Sequence, residues 1–218
     1  MSILETPEVY NYVKDILDKD GPIVFEIGMN DGLDTQEILK YCRGDFQYYG
    51  FEPDPDLGEY LRGLRGKLKG AILTEQAISN FQGTADFYHF SDKKNPNDFG
   101  AMGPSSLLEP LPYEHWLPHL KHEVYRVYVT TLDVFCDKNG IDHIDFLWAD
   151  MQGSEYGMIE GGQKILKNTG WMFIEAMKNA QYKNQKLRGE LVEKLGSDWE
   201  IVREWEVDLL LRNKRLYT

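Results

Sequence analysis

Ile23-Val24-Phe25-Glu26-Ile27-Gly28-Met29-Asn30-Asp31-Gly32 is the stretch from which the fold is read. Its first five residues, β-branched or aromatic apart from Glu26, form a short run of the kind found in buried strands. Gly28 and Gly32 then permit a sharp turn and a close approach of backbone to a ligand. Thr35 to Tyr41 continues as a helix. A complete GxGxxG fingerprint is absent, because Asn30 stands at the second glycine position, and this weakens a pyrophosphate-cradling reading. A glycine turn bearing carboxylate and amide groups suits an adenosyl ligand without phosphates. Glu26 would meet an ammonium, and Asn30 or Asp31 would orient a carboxylate-bearing tail. The same stretch also suits an ordinary strand-to-helix turn, so its neighbours decide.

Working outward, Thr6-Pro7-Glu8 reads as a helix start, and Val9, Tyr12, Val13, Ile16 and Leu17 follow at helical spacing until Gly21-Pro22 ends it. Downstream, Phe46 to Phe51 is a second strand closed by Glu52-Pro53-Asp54-Pro55, and Leu57 to Leu68 is helical in pattern. Gly70 to Ile78 reads as one strand and Ala85 to Phe90 as the next. Strands over Val124–Val129, Ile144–Ala149 and Trp171–Glu175 alternate with helices over Thr131–Phe135, Tyr156–Leu166 and Lys183–Leu195. Trp199–Trp205 and Val207–Leu211 are close enough to form a terminal hairpin. This alternation implies a parallel sheet covered by helices on both faces.

The pattern breaks between residues 91 and 122, which hold Pro96, Pro104, Pro110, Pro112 and Pro118 of the nine prolines. Irregular segments this long are uncommon in compact domains and are usually functional. We therefore expect one domain over residues 1–218 with an insertion, or lid, at 91–122.

Composition narrows the function. Lys plus Arg is 24 against 36 for Asp plus Glu, a formal charge of −12. Nucleic-acid binders release counterions with positive charge, so neither nucleic acid nor a membrane surface is an expected partner. The two cysteines, Cys42 and Cys136, make no disulfide framework and no thiolate metal motif. The N-terminus lacks the basic start and apolar run of a signal peptide. No apolar stretch approaches the roughly 20 residues that span a bilayer. A cytoplasmic location is expected.

In open parallel sheets, ligands bind beyond the carboxyl ends of the strands, where the strand order reverses. Glu52 ends the second strand, 24 residues after Gly28. An acidic residue at about that spacing typically accepts hydrogen bonds from ribose hydroxyls. Asp150-Met151-Gln152-Gly153-Ser154-Glu155 follows the strand ending at Ala149, and Glu175 ends its neighbour. Two acidic positions at adjacent strand ends suit a proton acceptor and a substrate anchor, although Asp150 could cap the next helix and Glu155 could bind its first amides. His115, His119 and His122 have helical spacing, but Pro118 opposes the helix that would gather them, and no metal is assigned. Trp116, Trp148, Tyr113 and Tyr125 suit either an acceptor pocket or the core.

Taken together, the chain resembles the FkbM family of S-adenosylmethionine-dependent methyltransferases. The resemblance is carried by Phe25 to Gly32, Gly50-Phe51-Glu52-Pro53, Ala77-Ile78-Ser79-Asn80, Gly83 to Tyr88, Ser105-Ser106-Leu107, Val129 to Asp133, Ile144 to Glu155, Ile159 to Gly162 and Ile174-Glu175. Its most specific part is the Asp-x-Gln-Gly-x-Glu element after Thr131-Leu132-Asp133. The resemblance implies a Rossmann-like class I methyltransferase fold, a seven-stranded, mostly parallel sheet with a C-terminal antiparallel hairpin. It implies S-adenosyl-L-methionine as cofactor and O-methylation of a small-molecule acceptor, a saccharide hydroxyl being the leading class. Glu26, Gly28, Met29, Asn30, Asp31 and Gly32 would surround the methionine part, Glu52 and Pro53 the ribose, and Ala77 and Ile78 the adenine. Ser105 and Ser106 would close over the tail, with Asp150 and Met151 nearest the sulfonium. Asp150 and Glu175 are the candidate catalytic residues, and Gln152, Glu155 and His115 the candidate substrate residues. One departure stands out: family members often carry Lys where this chain has Trp148. The alternatives are a nucleotide-dependent oxidoreductase of the NAD type and a non-catalytic cofactor-binding scaffold.

Overall fold

The computed structural model describes residues 8–63, 66–95, 98–114 and 117–217. Thr6, Pro7, Pro96, His115 and Trp116, named above, lie outside the described residues. Among the described residues ten strands and six α-helices follow in the order α1 (Val9–Ile16), β1 (Ile23–Ile27), α2 (Leu33–Leu39), β2 (Gln47–Phe51), α3 (Pro55–Gly63), β3 (Ala71–Thr74), β4 (Ala77–Ile78) and β5 (Gly83–Asp92). Then come β6 (Leu120–Thr130), α4 (Leu132–Asn139), β7 (Ile144–Ala149), α5 (Glu155–Gly161), β8 (Thr169–Glu175), α6 (Arg188–Leu195), β9 (Trp199–Glu204) and β10 (Asp208–Asn213).

A seven-stranded sheet runs β3-β2-β1-β7-β8-β10-β9. Its strands β3, β2, β1, β7 and β8 pair in parallel, while β10 is antiparallel to both β8 and β9. The expected mostly parallel sheet with its terminal hairpin is therefore present. All five residues of β1 are buried, as a central strand covered on both faces requires. One face packs Phe25, Ile27, Phe51, Leu147 and Ile174 against Leu132, Met158, Ile159 and Leu191 from α4, α5 and α6. The other packs Val24, Tyr48, Phe146, Trp148 and Phe173 against Val9, Val13 and Leu17 of the N-terminal helical segment and Ile38 of α2.

The single strand expected over residues 70–78 is two strands. β3 closes the large sheet, whereas β4 joins a three-stranded sheet in the order β4-β6-β5. Glu75 and Gln76 make the break, which turns Ala77 and Ile78 onto β6. β5 and β6 form a long antiparallel ribbon from Gly83↔Val129 to Asp92↔Leu120. The ends of the 91–122 segment thus belong to that ribbon. His122 lies in β6 and its ring bonds the Tyr113 hydroxyl at 3.0 Å, so it is held on a strand rather than a helix. The helix expected over 156–166 stops at Gly161 and resumes as a short 3₁₀ turn over Ile165–Asn168. At Gly161 an added Cβ would stand 2.1 Å from the Ser79 carbonyl oxygen, so this helix end touches backbone that only glycine admits. Cys42 and Cys136 are free thiols. Among the described residues no helix is long and apolar enough to cross a membrane.

Candidate active site

β1 pairs with β2 on one side and β7 on the other, so the strand order reverses there and the connections after β1 and β7 leave in opposite directions. A cleft open at its mouth, about 840 Å³ with the solvent space at that mouth included, occupies this position. Such crevices at the carboxyl ends of the strands are where ligands bind in open α/β sheets.

Gly28 makes the cleft possible. Its φ is +89°, and a Cβ there would sit 1.9 Å from the Asp150 carbonyl oxygen. The β1 and β7 exits are tied by the Asp150 N–H on the Ile27 carbonyl at 3.0 Å, and β1 to β2 by the Gly28 N–H on the Phe51 carbonyl at 2.9 Å. Asn30 adopts φ +48°, an uncommon conformation for a side-chain-bearing residue and one that asparagine tolerates better than most. Its N–H donates to Glu52 Oε2 at 2.9 Å, and the Asp54 N–H donates to Glu52 Oε1 at 2.9 Å. Each carboxylate oxygen has two lone pairs, so each keeps one acceptor position beyond these bonds. Burial nevertheless pushes the Glu52 carboxyl up to about 8. Asn30 Oδ1 is buried without a partner.

Gly28, Asn30, Asp31, Glu52, Pro53, Ala77, Ile78, Ser105, Asp150, Met151 and Gln152 line the cleft. Four residues named with them do not. Glu26 lies below the floor, where one oxygen accepts from Thr35 Oγ1 and the Tyr48 hydroxyl, both at 2.5 Å. Its other oxygen has no partner, and burial raises the carboxyl to about 8. Met29 points away to pack on Gly50, and Gly32 starts α2 against Leu61. Ser106 is buried and donates to the Gln152 carbonyl at 2.8 Å, which joins the segment after β5 to the loop after β7.

That loop is held internally. Glu155 Oε1 accepts the Met151 and Gly153 N–H groups at 2.9 and 3.2 Å. Glu155 thus fastens the loop and does not line the cleft. Gln152 sits at φ +52°. Its amide donates to Asp150 Oδ1 at 2.7 Å and to Glu175 Oε1 at 3.3 Å, and its carbonyl oxygen accepts from the Tyr182 hydroxyl at 3.3 Å. Burial raises the Asp150 carboxyl. Glu175 is buried behind Gln152, with Oε2 unpartnered, and is pushed well above the usual carboxylate range by burial and by Asp150 and Glu155. His115 lies outside the described residues.

The walls include residues the strand-end rule did not single out: Asp34, Gln76, Phe87, Met102, Gly103 and Leu107. Met102 to Leu107 lie in the irregular segment, whose path no periodicity predicts. Asp34 could have been found, since it falls in the first turn of α2 beside the glycine loop. It accepts from the Tyr10 hydroxyl, and burial lifts it to about 6. Trp148 is fully buried and packs 4.2 Å from Phe173, with Tyr10 stacked on it at 6.0 Å. It is core, as is Tyr113, which packs on Phe90.

The family model for the methyltransferase FkbM domain matches residues 26–207. The 2-O-methyltransferase NoeI of Sinorhizobium fredii (strain NBRC 101917 / NGR234) is 30% identical over 217 residues, covering 96% of this chain and 86% of NoeI. The crystal structure of methyltransferase FkbM from Methylobacillus flagellatus KT superposes with a TM-score of 0.55 at 13% identity, over 88% of this chain and 43% of that longer protein. The chain thus spans less than half of that relative's length. The O-methyltransferase from Bacillus cereus, solved in complex with SAH, gives a TM-score of 0.52 at 7% identity over 94% of this chain and 80% of its own. Both superpositions speak to the shared fold.

Proposed function

The chain belongs to the FkbM methyltransferase family, and on that premise we propose that it moves a methyl group from S-adenosylmethionine to a hydroxyl of a small-molecule acceptor, a saccharide in our reading. The observation that carries the cofactor reading is Glu52: a carboxylate in the cleft wall, fixed by two backbone N–H groups with acceptor positions to spare. The donor set suits the cofactor. A sulfonium and an ammonium are cations, and Asp31, Asp34, Glu52 and Asp150 all line the cleft. The unpartnered Asn30 Oδ1 offers a further acceptor.

When bound, S-adenosylmethionine supplies an electrophilic methyl on a positively charged sulfur. Glu52 would accept from the ribose hydroxyls, and Gly28 would let the loop backbone run against the methionine part. Ile78, Leu57 and Phe87 would give the adenine apolar walls. Asp150 would take the acceptor proton, because a carboxyl raised by burial is a better base near neutrality. Gln152 would hold Asp150 in place, with Glu175 acting through it. We read residues 91–122 as a lid within one domain. Met102, Gly103, Ser105 and Leu107 from that segment line the cleft, and such a lid would exclude water and choose the acceptor. Two free thiols suit a reducing compartment.

Calorimetric titration with S-adenosylmethionine, S-adenosylhomocysteine and NAD tests this reading. Micromolar binding of the first two and none of NAD is expected. Binding of NAD alone would favour an oxidoreductase. Cofactor binding without methyl transfer to any of a panel of glycosides would favour a scaffold.

A further inference from the structure

We propose that His89 is a positioning residue for the cofactor: together with Asp54 it clasps the turn after β2 to the β5–β6 ribbon and so aims the Glu52 carboxylate into the cleft. This rests on reading Glu52 as the ribose-binding group. Asp54 lies two residues beyond Glu52, and its side chain is wholly buried. Its N–H is one of the two donors that fix Glu52. Its carboxylate is fixed in turn at both oxygens. Oδ1 accepts from the Asp56 N–H at 3.0 Å, which opens α3, and Oδ2 meets His89 Nδ1 at 2.6 Å.

His89 comes from β5, on the same face as Phe87, which lines the cleft. Its side chain is 4% exposed, and its ring stacks on Tyr125 of β6 at 4.8 Å and 20°. One imidazole therefore ties the ribose turn, the start of α3 and the ribbon that walls the cleft. A wholly buried carboxylate needs such a donor, because an unpaired buried charge is strongly destabilising. The groups facing the ring are Asp54 and Asp56 from the α3 side and Glu123 and Tyr125 from β6. Burial pulls the imidazole pKa down, but the bond to Asp54 and the charges of Asp54, Asp56 and Glu123 outweigh it and raise the pKa. The ring can then present its second N–H to Asp56 Oδ2, 3.7 Å from Nε2.

Asp54, Asp56 and His89 also have atoms within 4.8 Å of one another, a spacing open to a metal ion. The bond geometry already accounts for the group without one, and the experiment separates the two roles. S-adenosylhomocysteine is titrated calorimetrically into the wild type, His89→Gln and His89→Asn, each in the Glu52 and Glu52→Gln backgrounds, with melting temperatures alongside. The asparagine amide nitrogen can stand where Nδ1 stands; the glutamine amide reaches the Nε2 position instead. His89→Gln is expected to weaken binding about tenfold with Glu52 present and less than about twofold in Glu52→Gln, and His89→Asn to restore most of the loss. Equal losses in both backgrounds, or no loss while Glu52→Gln does weaken binding, would overturn the clasp alone. No binding by the wild type would overturn the cofactor reading as well. A stoichiometric metal whose removal by EDTA abolishes binding would also overturn the clasp, by making these side chains ligands.

Discussion

Glu52 and Gly28 carry the sharpest consequences at the scale of single residues. Glu52 accepts from the Asn30 and Asp54 N–H groups, so replacing it removes the acceptor in the cleft wall and leaves those two donors unpaired. Glu52→Ala should weaken S-adenosylhomocysteine binding by about 2 kcal/mol, roughly thirtyfold, measured by calorimetry. Gly28→Ala should fail differently. Its φ is +89° and the new Cβ would meet the Asp150 carbonyl oxygen at 1.9 Å, so β1 and β7 must part. Urea unfolding should show a loss on the order of 3 kcal/mol, and cofactor affinity should fall with it. The place of both residues in the cleft lining was legible in the sequence, because a glycine turn and a strand-end carboxylate fall at the carboxyl edge of such a sheet. Glu26 and Met29 were less so. They share the motif with Gly28, but alternation along β1 sends Glu26 below the floor to Thr35 and Tyr48, and Met29 packs on Gly50.

At the scale of elements, the loop after β7 is the piece that gathers the buried carboxyls. Gln152 bridges Asp150, Glu175 and Tyr182 from a strained backbone position. Gln152→Ala frees both carboxylates while leaving the Glu52 side of the cleft intact. It should lower kcat by about 100-fold with little change in S-adenosylhomocysteine affinity, read from steady-state kinetics beside titration. Glu155→Gln acts on the loop itself. It weakens the acceptor of the Met151 and Gly153 N–H groups, and a loss of about 1 kcal/mol in urea unfolding is expected. The helices and central strands of the large sheet were readable because the helices carry apolar residues at helical spacing and the strands, covered on both faces, are short apolar runs. The split of residues 70–78 into β3 and β4 was not, since the polar interruption Thr74-Glu75-Gln76 is short enough to sit within one strand, and it is pairing with different partners that makes it a break. The walls supplied by Met102 and Leu107 were hidden because an irregular segment has no period to read.

For the whole molecule, the dominant fact is the number of carboxyls folded into the interior. Burial lifts Glu26, Glu52 and Glu155 to about 8 and Asp208 to about 7. Each binds its proton more tightly in the folded chain than in the unfolded one, where the glutamates have their ordinary value of 4.5. The folded state therefore carries more protons across that window, and stability falls as pH rises through it. The melting temperature of the ligand-free protein should decline between about pH 5 and about pH 8, and Glu26→Gln should flatten the decline. The central claim is that this cleft, where β1 and β7 diverge, holds the adenosyl cofactor through Glu52. A crystal structure of the protein with S-adenosylhomocysteine tests it most directly. The account predicts both ribose hydroxyls on the Glu52 carboxylate, the adenine between Ile78 and Phe87, and the sulfur facing Asp150. A ligand bound elsewhere, or in the cleft with its ribose away from Glu52, would contradict it.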